Sequence, residues 1–409
     1  MTAWPESEGG GLALQFHLTE DQIAMRDAAY EFAQRELAPR ALHYDRTHEF
    51  PWEYVEKMRD HGFLGMTIEE RFGGGGMDTL LHALCLEQVS RGDPVAGVIM
   101  DVHNSLVSDL ISRWAGEELK QRFLPRLARV DVLGAFCLTE PQAGSNAANL
   151  KTTAVRRGDR YILNGRKVFI SNAEVAGLYV VFAVTDPARG EKGISAFVVE
   201  KGTPGLSFGK PLDKLGLHAS STGDVVLEDV EVPAENLIGS EGDGYRIALA
   251  TLDNGRVGIA AQAVGIAQAA LDKALRYAQQ REQFGRPIAD FQAIQFKLAD
   301  MATEIEAARL LVYRAAVLYE ESKRTGRRFS KEISMAKLFA SETAMRTTLQ
   351  AVQIHGGYGY VREFGVEKLM RDAKITEIYE GTSEIQRLVI AAHLLREAQQ
   401  PGTQAAPVR

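Results

Sequence analysis

The hydrophobic period changes twice along this chain, which limits the fold to helices at both ends around a block of strands. From about Leu18 to Arg129 apolar residues recur at helical spacing. Thr19, Glu20 and Asp21 precede a stripe of Ile23, Met25, Ala29, Phe32 and Leu37, which reads as a cap, an acidic first turn and one buried face. Pro39 stands where that helix would end. Gly73-Gly74-Gly75-Gly76 breaks the chain before a helix that Asp78 or Thr79 would cap, and Pro94 opens another helix ending near Trp114. From about Leu133 to Gly239 the runs are short: Tyr161-Ile162-Leu163, Leu178 to Val184, Ile194 to Val199, and Val225 to Leu227. Asn164-Gly165, between Tyr161-Ile162-Leu163 and Val168-Phe169-Ile170, predicts a two-residue hairpin. From Gly244 to about Gln399 the chain is helical again, with wide apolar stripes over Tyr245 to Arg281, Phe291 to Lys323, Ser330 to Val352, and Thr382 to Glu397.

A chain of 409 residues exceeds the ~250–300 at which one core stops growing. The pattern predicts an α+β protein, mainly α. A helical domain spans 16–132, a β-barrel-like domain 133–240 and a four-helix bundle 241–399, with a flexible tail at 1–15 and a second tail at 400–409.

The net charge of −7 argues against nucleic acid, which asks for a basic face. Cys85 and Cys137 have neither metal nor redox spacing and read as buried apolar residues. No apolar run approaches the ~20 residues of a membrane helix, and the N-terminus lacks the order of a signal peptide, so a cytoplasmic protein is expected. No Gly-x-Gly-x-x-Gly follows a strand, no Gly-x-x-x-x-Gly-Lys loop occurs, and no His/Asp/Glu cluster has metal spacing.

Three segments carry more. They are Phe136-Cys137-Leu138-Thr139-Glu140-Pro141-Gln142-Ala143-Gly144-Ser145, then Gln353-Ile354-His355-Gly356-Gly357-Tyr358-Gly359-Tyr360, then Ile378-Tyr379-Glu380-Gly381-Thr382-Ser383-Glu384-Ile385-Gln386-Arg387. In this order and spacing they resemble the acyl-CoA dehydrogenase family, over nearly the whole chain from about Leu18 to Arg396. The C-terminal half, with Thr251-Leu252-Asp253-Asn254-Gly255-Arg256 and Ile294 to Met301, is most similar to the short-chain, butyryl-type bacterial members.

The resemblance implies FAD, an acyl-CoA substrate, a homotetramer built as a dimer of dimers, and an electron-transferring flavoprotein as acceptor. It implies loss of an α-proton and a β-hydride from a short- to medium-chain acyl thioester. The α-proton is a weak acid, so a base in reach and stabilisation of the enolate-like oxygen are both needed. Glu380 is the implied base, beside a glycine that lets backbone approach a ligand. A carboxylate before Thr382 could instead cap a helix. Some members carry the base near position 255, where this chain has Gly255. A branched-chain specificity and an acyl-CoA oxidase, typically a longer chain, are the alternatives.

The resemblance also implies the flavin contacts. Thr139 and Ser171 would hydrogen-bond the ring and Phe169 would cover it, with Phe136, Leu138, Ser145 and Ile170 around them. Many members have Trp at Phe169, Gly at Ala173 and Asp at Asn146. Phe169 read alone is a strand core residue. Arg281, Gln283, Phe284 and Gly285 form the Arg-x-Gln-Phe-Gly segment, with Arg281 on the pyrophosphate and Gln292 a second contact. Gln353, Ile354, Gly356 and Gly357 would meet a neighbouring subunit's FAD, and Thr382 and Glu384 the adenosine side. His355, within that loop, reads as a structural or cofactor-contacting residue rather than an acid–base group. Ser145, Asp253 and Arg256 are the implied CoA contacts, and Tyr379 and Gly381 flank the substrate.

Overall fold

The computed structural model describes residues 17–399, so both expected tails lie outside the described residues. The N-terminal part holds α1 (Glu20–Phe32), α2 (Ala41–Thr47), α3 (Trp52–Asp60), α4 (Thr79–Gly92), α5 (Pro94–Asp101), α6 (Asp109–Trp114) and α7 (Glu117–Ala128). Thr19 closes a reciprocal cap with Gln22 on α1, donor and acceptor 3.0 and 3.2 Å apart. Asp78, not Thr79, caps α4, accepting from the Leu81 N–H at 2.8 Å. Thr79 turns away to Glu320, its N–H and hydroxyl 2.8 and 2.6 Å from one carboxylate oxygen. Between α5 and α6 the helix widens into a π-type stretch, Val102–Ser108, buried throughout. Such widening is frequent beside functional sites.

The middle part is one eight-stranded sheet: β1 (Gly134–Cys137), β2 (Thr153–Arg157), β3 (Arg160–Ser171), β4 (Leu178–Val184), β5 (Ile194–Glu200), β6 (Leu206–Phe208), β7 (Thr222–Pro233) and β8 (Leu237–Ile238). Its order is β6-β7-β3-β2-β4-β5-β8, with β1 parallel to β4. The β-built domain matches the expectation, although the sheet stays open between β6 and β8. The hairpin expected at Asn164-Gly165 is absent. β3 runs straight through it, and the turn lies at Gly158-Asp159, where Arg157 pairs with Arg160. Asn164-Gly165 is a bulge against β7. The Asn164 side chain accepts from the Asp229 N–H at 2.8 Å, and a Cβ on Gly165 would fall 2.3 Å from Thr152 Oγ1. Long-range pairing with β7 overrides the local turn signal.

Lys167, fully buried on β3, donates to Glu140 at 2.7 Å and to the Leu138 carbonyl at 3.2 Å. Glu140 also accepts from the Lys151 and Thr152 N–H groups at 2.6 and 3.0 Å. This pair ties the 138–152 loop to the sheet. Lys167→Met would strand a buried carboxylate and lower stability by about 3–5 kcal/mol in urea unfolding; an unchanged midpoint would count against that role.

The C-terminal part comprises α8 (Gly244–Gln280), the small hairpin β9 (Glu282–Gln283) and β10 (Arg286–Pro287), α9 (Gln292–Thr325), α10 (Ser330–His355), α11 (Val366–Lys374) and α12 (Ser383–Ala398). The four long helices fall where the periodicity placed them. α11 is additional; its Lys368 donates to Asp93 and Asp372 at 3.0 and 2.6 Å, all three buried. α8 is the central element, packed by α4, α5, α9 and α10. Small residues on it permit close approach: a Cβ on Gly265 would lie 2.2 Å from the Glu87 carbonyl oxygen.

Candidate active site

Glu380 sits in the turn before α12, with φ 56°, followed by Gly381 at φ 92°. A left-handed glutamate is strained, and such strain concentrates at functional sites. Three helices hold the turn. Arg256 of α8 and Gln386 of α12 each donate to the Glu380 carbonyl at 3.1 Å. Lys337 of α10 and Gln386 donate to the Gly381 carbonyl at 2.8 and 2.9 Å. A Cβ on Gly381 would lie 2.7 Å from Gln386 Nε2, so glycine is required there. Behind them Asp253 receives Arg256 at 3.1 Å, Arg328 at 2.6 Å and Ser330 at 2.8 Å.

The carboxylate points the other way. Glu380 Oε2 is buried without a hydrogen-bond partner. It lies against α8 where a Cβ on Gly255 would be 2.7 Å away. Burial pushes its pKa up to about 7, against the opposing pull of Arg256 and Lys337. Burial likewise brings the Lys337 ammonium down to about 7, against the attraction of Glu380. The helix-cap alternative fails: Thr382 is the cap of α12, its hydroxyl accepting from the Ile385 N–H at 3.3 Å. Because Lys337 favours the ionised carboxylate, Lys337→Met should raise the Glu380 pKa and move the acidic limb of kcat/KM to higher pH. A limb that stays put or moves down would refute that coupling.

The other expected residues form two groups. On the sheet, Thr139 and Ser171 are half-buried and Leu138 and Ile170 buried. Phe169 has φ 58° in a bulge where the β3–β7 register shifts, and is 68% exposed. It is therefore not a strand core residue; the bulge turns its ring outward. Ser145 lies exposed in the loop beyond Thr139. At the far end of α8, Arg281, Ile354, Gly356 and Gly357 line a cavity of about 550 Å³ with Tyr277, His355 and Tyr358. Nothing lies within 4 Å of a Cβ built on Gly356 or Gly357, leaving their backbone open to a ligand. His355 stacks on Tyr277 with ring centres 4.3 Å apart and bonds the Ala351 carbonyl at 2.7 Å, a structural placement. Gln353 and Gln292 are exposed on α10 and α9, and Glu384 is exposed in the first turn of α12, beside the Glu380 turn.

Models of the acyl-CoA dehydrogenase N-terminal, middle and C-terminal domains match residues 19–131, 135–230 and 242–395. The chain belongs to the acyl-CoA dehydrogenase family. It is 51% identical over 379 residues to an acyl-CoA dehydrogenase of Bacillus subtilis, covering 93% of this chain and 99% of that one. It is 47% identical over 383 residues to a short-chain specific acyl-CoA dehydrogenase of Clostridium acetobutylicum, covering 94% and 100%. The butyryl-CoA dehydrogenase structure from Megasphaera elsdenii superposes with a TM-score of 0.90 at 45% identity, over 94% of this chain and all of that one. The family, the three-part architecture and the enzyme class expected from the motifs are borne out.

Within this acyl-CoA dehydrogenase framework three of the residues expected at the substrate also make bonds within the protein. Arg256, expected at CoA, is buried and donates to Asp253 and to the Glu380 carbonyl, and Asp253, also buried, accepts from Arg328 and Ser330 as well. Tyr379, expected beside substrate, donates its hydroxyl to Gln262 of α8. Motif spacing did not single out Lys337 or Gln386. Each lies on an amphipathic helix, where a lone polar residue reads as surface; only tertiary packing brings it to the Glu380 turn.

Proposed function

We propose that this acyl-CoA dehydrogenase oxidises a short straight-chain acyl-CoA between Cα and Cβ, with Glu380 as base. The single observation that carries the reading is the buried, unpartnered Glu380 Oε2 above Gly255. A carboxylate with no protein partner and a pKa near neutrality is suited to take a proton from a weak carbon acid. Arg256, Lys337 and Gln386 fix the backbone on which it rides, so the α-proton meets a prepositioned oxygen. FAD, when bound, supplies the acceptor for the β-hydride. Thr139, Ser171 and the outturned Phe169 are the residues suited to its ring, and an acyl group would then lie between ring and carboxylate. The short chain length follows the butyryl-type relatives.

The Arg281 group fits the same cofactor from a second copy. Arg281 stands about 39 Å along α8 from Gly255 at 1.5 Å per residue, too far for one dinucleotide to touch both ends. Phe284 and Gly285 make a tight turn with φ 54° and 77°, and Phe284 is 94% exposed. A strained, solvent-facing aromatic beside an open arginine is suited to a neighbouring subunit and its FAD pyrophosphate. A homotetramer and an electron-transferring flavoprotein as acceptor complete the proposal.

Anaerobic addition of butyryl-CoA to the holoenzyme tests it. Bleaching of the flavin absorbance supports the reading; unchanged colour overturns it. Rapid oxygen uptake by the reduced enzyme would favour an oxidase instead.

A further inference from the structure

Among the described residues, two buried carboxylate oxygens lack a hydrogen-bond partner: Glu380 Oε2 and Asp101 Oδ2. Asp101 ends α5 and is wholly buried; its Oδ1 accepts from Ser105 Oγ at 2.6 Å. Both carboxyl groups rest on glycines of α8. A Cβ on Gly255 would lie 2.7 Å from Glu380 Oε2, and one on Gly258 only 1.7 Å from Asp101 Oδ1. Positions three apart on a helix share a face, their Cβ sites about 5–6 Å apart. The next residue on that face is Gln262, which receives the Tyr379 hydroxyl. One stripe of α8 therefore faces Glu380, Asp101 and Tyr379 in turn.

An isolated buried carboxyl is unfavourable and is normally replaced or paired. Burial holds the Asp101 carboxyl well above the usual carboxylate range, and the Glu380 charge adds to it, which favours the protonated form that can donate. Donation to Ser105 is unnecessary, because Ser105 itself donates to Oδ1.

We propose that Asp101 is a specificity-determining residue of the acyl site, donating a hydrogen bond to an oxygen substituent, most simply a hydroxyl, carried on the acyl chain beyond Cβ. This rests on Glu380 as the base. Asp101 and Glu380 pack on α8 at positions one helical turn apart, about the reach of a chain of four or five carbons whose Cα lies at Glu380. A plain alkyl chain would leave that donor unpaired in the complex. A site built to bond a hydroxyl discriminates strongly against the analogue that lacks it.

The test compares kcat/KM of the holoenzyme for ω-hydroxyvaleryl-CoA and valeryl-CoA, in the wild type, Asp101→Val and Asp101→Asn. The wild type should prefer the hydroxylated thioester by about tenfold or more. Asp101→Val should abolish the preference, chiefly by improving valeryl-CoA, while Asp101→Asn keeps it. If the valine variant fails to retain flavin, Asp101→Ser serves in its place and should cut the preference. A wild-type preference for valeryl-CoA, or a ratio unmoved by the valine or serine change, overturns the proposal. Flavin bleached by neither thioester would instead overturn the parent reading, and this one with it.

Discussion

Glu380→Gln should keep its flavin and its fold while turnover falls by about 10²–10⁴-fold, the usual contribution of a positioned base. The amide fills the same space above Gly255 and leaves the backbone bonds from Arg256, Lys337 and Gln386 untouched. It has no basic oxygen for the α-proton. Flavin absorbance and steady-state rates with butyryl-CoA measure the two halves separately. A variant that kept wild-type turnover would remove Glu380 from the chemistry.

Arg256→Met should act on the same turn from behind. It takes one of two donors from the Glu380 carbonyl and leaves Asp253 buried with one cation fewer. Breaking a buried pair costs about 3–5 kcal/mol. Misplacing a catalytic group by an ångström can cost about 10²-fold in rate. The expected signature is therefore a drop in kcat with KM little changed, together with a lower unfolding midpoint. If Arg256 instead bound CoA in ground and transition states alike, KM would rise at constant kcat. That outcome would support the CoA contact implied by the motif and count against the positioning role.

Much of this arrangement was legible in the residues. Thr19 and its acidic first turn marked α1, and the four long apolar stripes marked α8, α9, α10 and α12, because those signals are local. The segment around Glu380 identified the family. Gly255 was half legible: it could be seen that no base stands there, but not that the missing Cβ makes room for the Glu380 carboxylate. Asn164-Gly165 misled because a hairpin signal takes no account of a partner strand sixty residues on, and β7 decides the register. Lys167, Lys337 and Arg256 were opaque for a common reason. Each is a charged group made buriable by partners distant in the chain, so its meaning resides in tertiary contacts.

The identity and poise of the base are tested together by the rate of flavin reduction under anaerobic single-turnover conditions, followed across pH with butyryl-CoA. An ionised Glu380 is required, and its pKa is about 7. The rate should climb about tenfold per pH unit below that value and level off above it. Substrate binding itself should change little through the same range. A reduction rate flat through neutrality, or one that falls as pH rises through it, would contradict Glu380 as the base.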